Sequence, residues 1–152
     1  SQYFYLMPTV NIYTELSEYA CHVSIHVQWG DMDAFQHVNN VIYLGWVESA
    51  RVKYFDEYLC KNNLNNLEVG PILAWQDCKY LFPMTYPDTA EVGFRVSEVK
   101  SDRILCEARI YSKKHNRLVA IANNVIMPYS IKSQSKTNIP MEWIDAIEEL
   151  QG

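Results

Sequence analysis

Between Trp29 and Asn40 the run WGDMDAFQHVNN brings together two carboxylates (Asp31, Asp33), one imidazole (His37) and two asparagines (Asn39, Asn40). The run joins an alternating strand pattern to a long apolar helix pattern, so these groups meet at a helix N-terminus. There the first-turn N–H groups lack intrahelical acceptors and the local dipole is positive. Such a junction can bind and polarise a carbonyl oxygen. A carboxylate beside it can attack the carbonyl carbon or deliver water to it.

The groups do not weigh equally. Asp31 and Asp33 flank Met32 and would share one side of a continuing strand, where neighbouring carboxylates can separate their pKa values. The default for such a pair is loop capping. Asp33, seven residues before Asn40, can fold back toward the helix end and is assigned the catalysis. Asp31 follows the strand more directly and is assigned a structural role. An unperturbed imidazole changes charge near neutrality, so His37 could serve as a base, although a single loop histidine is more often a hydrogen-bonded structural residue.

Other constellations carry less. His22 and His26 have metal-ligand spacing only on a helix; on a strand they lie roughly 13 Å apart, and no metal site is expected. Glu48 and Arg51, three apart on the helix, read most simply as an ion pair, with a buried Glu48 as second catalytic carboxylate the alternative. The chain has no G-x-S-x-G, G-x-G-x-x-G or P-loop, and Cys60 has no evident base, so serine, nucleotide and cysteine chemistries lack support.

The elements that must position these groups follow from periodicity. His22 to Trp29 alternates Val23, Ile25, Val27 and Trp29 with polar residues, the period of a half-buried strand. Residues 40 to 60 lack proline and place Val41, Leu44, Val47, Tyr54, Phe55 and Tyr58 at helical spacing, with an apolar arc so wide that the helix must be nearly enclosed. Asn39 or Asn40 is its N-cap. Gly45 inside it costs on the order of 1 kcal/mol against alanine, which close approach of a backbone or ligand, or a tolerated surface position, would explain. A polar connection, Lys61 to Gly70, leads to a strand from Ile72 to Phe82, broken by Pro83 to Asp88. Strands Ala90 to Val99, Arg103 to Ser112 and Leu118 to Met127 follow, joined by short turns at Ser101-Asp102 and His115-Asn116 as an antiparallel meander. Ser130 to Asn138 reads as a linker. Pro140, at a first helical position, then opens a short amphipathic helix. Residues 1 to 20 show no clear period. This order is α+β, with one central helix wrapped by about five antiparallel strands.

Composition bounds the function. A chain of 152 residues is the length of one domain, and 49% hydrophobic with 20% charged residues suits a soluble globular protein. Residues 1–130 are taken as that domain, with 1–20 as an N-terminal extension and 131–152 as a linker and helix. Net charge −5 without a basic face argues against nucleic acid. Cys21, Cys60, Cys78 and Cys106 stand singly and fit reduced thiols packed as small hydrophobes. With no membrane-length apolar run or signal-like N-terminus, a cytoplasmic protein with no membrane partner is expected.

With these residues in hand, the chain resembles the hot-dog-fold acyl-CoA thioesterases of the 4-hydroxybenzoyl-CoA thioesterase family. The resemblance is carried by WGDMDAFQHVNNVIYLGWVESARVKYF (Trp29 to Phe55), GPILA (Gly70 to Ala74) and FPMTYPD (Phe82 to Asp88). It implies a hot-dog fold, a five-stranded antiparallel sheet curled around the long helix. It also implies homodimers or homotetramers with active sites between subunits. Asp33 would act as nucleophile or general base, and the Asn40 N–H would stabilise the oxyanion. His37, Val38, Asn39 and Tyr43 would contact the acyl-CoA substrate, and no cofactor is implied. Two positions depart from the family. Relatives commonly carry glycine where Gln36 stands, and a positive φ there would strain the loop. Gly45 replaces a larger residue.

The leading expectation is hydrolysis of an acyl-CoA to acid and CoA. A carrier-protein thioester has the same reacting group, and a non-catalytic acyl-thioester binding module on the same fold is the alternative of another class. An enoyl-CoA hydratase ranks last, because Asp33 to His37 lacks the D-x-N-P-x-H arrangement.

Overall fold

The structure is a computed structural model, describing residues 9–61 and 67–152. The elements run α1 (Ile12–Leu16), β1 (Cys21–His26), a 3-10 turn (Trp29–Asp31), α2 (Asn40–Lys53), a π-helical continuation (Tyr54–Leu59), β2 (Val69–Tyr80), β3 (Thr89–Val99), β4 (Ile104–Ser112), β5 (Arg117–Ser130), β6 (Ser135–Lys136) and α3 (Met141–Gln151). The sheet order is β1-β3-β4-β5-β2, every pair antiparallel, with the two-residue β6 added on β5. This is the hot-dog architecture.

One side of α2 and its π-helical continuation drives the assembly. Val47, Ala50, Tyr54 and Phe55 have almost no exposed surface and meet Phe94, Ile104, Ile110 and Ile126 from the concave face of the sheet. Each fully buried side chain of this size stabilises the fold by about 1.5–3 kcal/mol. The Tyr54 ring lies 5.4 Å from that of Phe94, and Trp143 of α3 closes the far end against Phe55 at 5.6 Å. Outside the sheet, α1 and Tyr19 cover the opposite face. Tyr19 approaches so closely that a Cβ on Gly93 would sit 2.7 Å from its ring.

Several boundaries differ from the sequence expectations. The first strand stops at His26: the Val27 N–H still reaches the Asp88 carbonyl (2.9 Å) in the register of β3, but the Asp31 carboxylate accepts the Gln28 N–H at 2.8 Å and the chain enters the 3-10 turn, leaving Trp29 exposed. The second strand begins at Val69, earlier than Ile72, and ends at Tyr80; the fifth extends to Ser130 because β6 pairs with its end. Pro140 is the residue before α3, with ψ at 141°, and Met141 is the first helical one. The polar connection expected at Lys61 to Gly70 falls mostly on residues outside those described. The long helix is also less enclosed than expected. Val41 and Val52, about three turns apart on one stripe, are 57% and 46% exposed, and Gly45 between them has nothing near its Cβ position.

Candidate active site

The loop from Val27 to Asn39 is held by its own hydrogen bonds. The Asp31 carboxylate accepts the Gln28 N–H at 2.8 Å and its carbonyl accepts the Asn39 N–H at 2.9 Å, so Asp31 frames the loop. Met32 pairs with Val38 in an isolated antiparallel bridge. Inside it, the Asp33 N–H donates to the His37 carbonyl (3.0 Å) and the Gln36 N–H to the Asp33 carbonyl (2.9 Å). That is a miniature hairpin whose three-residue loop needs a left-handed residue at its last position. Gln36 supplies it, with φ at 61°. The loop thus requires the backbone conformation that favours glycine, and glutamine occupies it at a cost of about 1 kcal/mol.

This frame sets Asp33 at the tip of the site. Its Oδ1 accepts the Phe35 N–H at 2.9 Å, which fixes the side chain, and its Oδ2 has no partner among the described residues. The side chain is exposed. Val38 is buried, and its N–H is anchored on the Met84 carbonyl at 2.9 Å.

The helix that follows starts with one amide unspent. Asn39 is the N-cap: its Oδ1 accepts the Val41 N–H at 3.2 Å and its carbonyl the Ile42 N–H at 2.9 Å. The Asn40 N–H has no acceptor among the described residues. It is therefore a main-chain donor at the positive end of a 14-residue helix.

Asp33, His37, Val38, Asn40 and Tyr43 line one cleft of about 270 Å³, together with Tyr80, Phe82 and Pro83. Asn39 is not part of that lining; its side chain is committed to the cap. The Tyr43 and Tyr80 rings meet edge to face at 5.2 Å. The Tyr43 hydroxyl accepts the Met84 N–H at 3.2 Å, and the Tyr80 hydroxyl donates to the Asn40 carbonyl at 2.9 Å. Burial pushes both phenols up to about 12, so the wall is uncharged at neutral pH. Asp33 also borders a second depression of about 450 Å³ with Trp29, Met32, Gln36, Thr85 and Tyr86. It stands on the ridge between the two.

Sequence reasoning about the site missed Tyr80, Phe82 and Pro83. The signal was present: Tyr80 ends an apolar run and Phe82-Pro83 opens the FPMTYPD motif, but nothing local tells that this strand end returns to the helix N-terminus. Among the described residues no three of His, Cys, Asp and Glu converge as metal ligands. His26 faces the Thr89 hydroxyl at 3.1 Å, and His22 lies 3.8 Å from Glu91. Glu48 and Arg51 do pair, at 3.7 Å, with Arg51 also donating to Asn124 Oδ1 at 2.7 Å.

A carboxylate and an unspent amide opening on one apolar-walled cleft suit attack on a carbonyl whose oxygen gains charge. Comparisons with known proteins bear on the fold and the family. A protein of Pseudomonas aeruginosa is similar over 90% of this chain and 95% of its own, at 26% identity and TM-score 0.79. A thioesterase of Thermus thermophilus, solved with coenzyme A and zinc, shares the fold at 22% identity and TM-score 0.74, covering 89% of this chain and 97% of its own. So does a 1,4-dihydroxy-2-naphthoyl-CoA thioesterase of Synechocystis, at 18% identity and TM-score 0.74, covering 87% and 98%. No curated protein matches the sequence. The sequence profile of the thioesterase-like superfamily matches residues 27–148, a span that includes both Asp33 and Asn40, and the chain belongs to that superfamily.

Proposed function

We propose that this protein is an acyl-CoA thioesterase in which Asp33 and the Asn40 N–H do the chemistry. The observation that carries the reading is that a carboxylate with one oxygen fixed and the other without a partner, and a helix N-terminal residue whose N–H has no acceptor among the described residues, line one cleft. The thioester carbonyl lies between them. Asp33 Oδ2 takes a proton from water as the water oxygen attacks the carbonyl carbon, or attacks that carbon itself to give a mixed anhydride that water then opens. In either route the carbonyl oxygen becomes an oxyanion facing the Asn40 N–H. Collapse breaks the C–S bond, and CoA leaves as a thiolate. His37, Val38 and Tyr43 shape the acyl and thioester positions, and Asn39 supports them by fixing the helix start.

The working unit is a homodimer, or a homotetramer made of two such dimers. β2 is a long edge strand, and an unpaired edge of this length is an association site. Ile72 on it is half exposed, Trp75 is 54% exposed, and the Val41–Gly45–Val52 stripe of α2 is open. A second copy would cover these surfaces. The four cysteines are all free, which supports a reducing, cytoplasmic setting. No helix among the described residues is long and apolar enough to cross a membrane.

The test is release of free thiol from a panel of acyl-CoAs by the wild type and Asp33→Asn. Asparagine keeps the oxygen that accepts the Phe35 N–H, so the loop survives while the charge is removed. Loss of a positioned base or nucleophile predicts a fall in kcat of about 10²–10⁴. An unchanged rate would replace this reading with a binding module.

A further inference from the structure

The inward positions of β5 read Ala120, Ala122, Asn124 and Ile126, so an asparagine takes a core slot in a strand that lies between β4 and β2. A polar side chain buried there costs free energy unless it is bonded. Asn124 is bonded on one side: its Oδ1 accepts an N–H of the Arg51 guanidinium, from α2, at 2.7 Å. A guanidinium can only donate, so it fixes the amide with Oδ1 toward it. The Asn124 Nδ2 is left without a partner among the described residues.

Arg51 is short of acceptors as well. Its side chain is 12% exposed, and Glu48, the nearest carboxylate, lies 3.7 Å away, beyond hydrogen-bond reach, and is itself 67% exposed. Burial lowers the Arg51 pKa from the ordinary guanidinium value, but a guanidinium keeps its proton in a protein. A positive charge therefore stands at the edge of the core, pinned by one neutral amide and with further N–H donors unused among the described residues.

That charge borders a cavity of about 310 Å³ between α2 and β2. Glu48 and Arg51 line it together with Val52 and Phe55 on the helix side, Leu73 of β2 and Ile126 of β5. It shares no lining residue with the cleft that holds Asp33 and Asn40. Arg51 follows Asn40 by eleven residues, roughly 16 Å along the helix axis. Apolar walls around a pinned guanidinium suit a ligand with an apolar body and a planar anion, because two parallel N–H bonds match the two oxygens of a carboxylate. The more highly charged phosphate suits the site less, since Glu48 already brings one negative charge to it.

We propose that this cavity is a binding site for the carboxylate of an amphipathic acid, with Arg51 as its partner and Asn124 holding the guanidinium in position. Glu48 competes with that carboxylate for Arg51 and, being exposed, turns out to water when the acid enters. Two sources supply such a group: a free acid, the chemical class that thioester hydrolysis releases, and the far end of an acyl chain that bears a second carboxylate. The site itself does not rest on the acyl-CoA reading; the second source does. A second copy over the Val41–Gly45–Val52 stripe would close the mouth of the cavity, so each protein is measured in its native oligomeric state.

Octanoate and octanamide, equal in length and different in charge, are titrated by calorimetry into the wild type, Glu48→Gln and an Arg51→Met/Asn124→Leu double variant, with a thermal melt as the folding control. The double replacement removes both polar partners together, so neither is left buried alone. Octanoate should bind the wild type about tenfold more tightly than octanamide. Glu48→Gln should widen that margin about two- to threefold, and the double variant should abolish it. The opposite signs of the two variants separate a ligand site from a structural ion pair. Equal affinity for acid and amide in the wild type, or a margin that survives in the double variant, overturns the proposal. Thiol release from ω-carboxy acyl-CoAs and from unsubstituted acyl-CoAs of the same lengths tells the sources apart. If the far carboxylate is the source, one length is hydrolysed with kcat/KM about tenfold higher with the carboxylate than without, and the double variant loses that preference. If a free acid is the source, no length shows the preference while octanoate binding keeps its dependence on Arg51. Acid binding without hydrolysis of any thioester would remove the acyl-CoA reading and leave the site. Hydrolysis with no carboxylate preference in either assay would remove the site and leave the reading.

Discussion

Replacing Asn40 by proline would delete one hydrogen atom from the proposed oxyanion site and leave the helix that carries it intact. Asn40 is the first helical residue, a position where proline is favoured because its N–H has no intrahelical use. The structure agrees on each requirement. The Asn40 N–H has no acceptor among the described residues, so no bond is lost. Asn39, at φ −60° and ψ 137°, already has the extended conformation that a residue before proline must take. The Asn39 cap on the Val41 N–H and the Tyr80 hydroxyl bond to the Asn40 carbonyl both remain. Stability should therefore change by no more than about 0.5 kcal/mol. Removing one main-chain oxyanion donor costs about 2.7–4 kcal/mol of transition-state stabilisation, a factor of about 10²–10³ in kcat. Thiol release from acyl-CoA under saturating substrate reads this directly, with a thermal melt as the control for folding. Asn40→Ala, which keeps the amide, should stay within about threefold of the wild type. The split between constants separates two causes: loss of the donor lowers kcat, whereas a ring that merely blocks the cleft raises KM. A folded Asn40→Pro protein with near wild-type kcat would refute the assignment of this amide.

Three further outcomes follow from particular contacts. Gln36→Gly relieves a left-handed residue at φ 61° and should stabilise the protein by about 1 kcal/mol, seen as a rise in Tm of roughly 2–4 °C; an unchanged or lower Tm would mean that the glutamine is not strained. Arg51→Ala leaves Asn124 without the donor it now bonds, and Asn124 is already buried with its Nδ2 unpaired among the described residues. The expected loss is about 2–3 kcal/mol in urea unfolding, largely recovered by adding Asn124→Leu, and additive losses in the double variant would contradict the pairing. Trp75→Lys places a charge in the middle of the exposed β2 edge, at a residue 54% exposed in the single chain. If β2 carries the proposed dimer contact, sedimentation shows the wild type at twice the mass of the variant, and equal masses would refute that contact.

Most of the fold was legible because its elements repeat a simple period. The alternation through Ala90, Val92, Phe94 and Val96, and through Ile104, Cys106, Ala108 and Ile110, marks strands whose inward residues are buried to the last atom or nearly so. Short polar turns then leave antiparallel pairing as the only arrangement, and the observed registers are those of a meander. What periodicity could not give is the place where pattern and hydrogen bonding compete. Val27 and Trp29 continue the apolar alternation of β1, yet the Gln28 N–H goes to the Asp31 carboxylate rather than to a strand neighbour and the chain turns away. The π-helical stretch after Lys53 is equally silent in sequence, since Tyr54, Phe55 and Leu59 are buried there much as an α-helix would bury them. The exposed stripe of α2 is the same problem in reverse. Its residues are apolar enough to demand cover, and one chain does not supply it.

The candidate site was half legible for a different reason. Asp33 and Asn40 stand out because their side chains, or their place at a helix start, can be named from a short run of residues. The wall that makes them a site arrives from β2 and the segment after it, forty residues further on at Tyr80, and no local pattern ties that segment to the loop. The loop's own economy explains the division of roles within it. Asp31 is consumed by the Gln28 amide, Asn39 by the Val41 amide, and Asp33 Oδ1 by the Phe35 amide. The backbone of Val38 and the hydroxyl of Tyr43 are consumed by Met84. Among the described residues, Asp33 Oδ2 and the Asn40 N–H have no partner once those bonds are made, and both residues line the cleft beside His37. A thioester needs little more, because its sulfur leaves as a stabilised anion and the carbonyl requires only an attacking oxygen and a donor for the charge it gains. An oxygen ester or amide would also need a proton for its poorer leaving group; the Tyr80 hydroxyl proton is committed to the Asn40 carbonyl, and burial, which pushes both phenols up to about 12, makes each a weak acid. Among acyl groups of equal size, hydrolysis should therefore strongly favour the thioester.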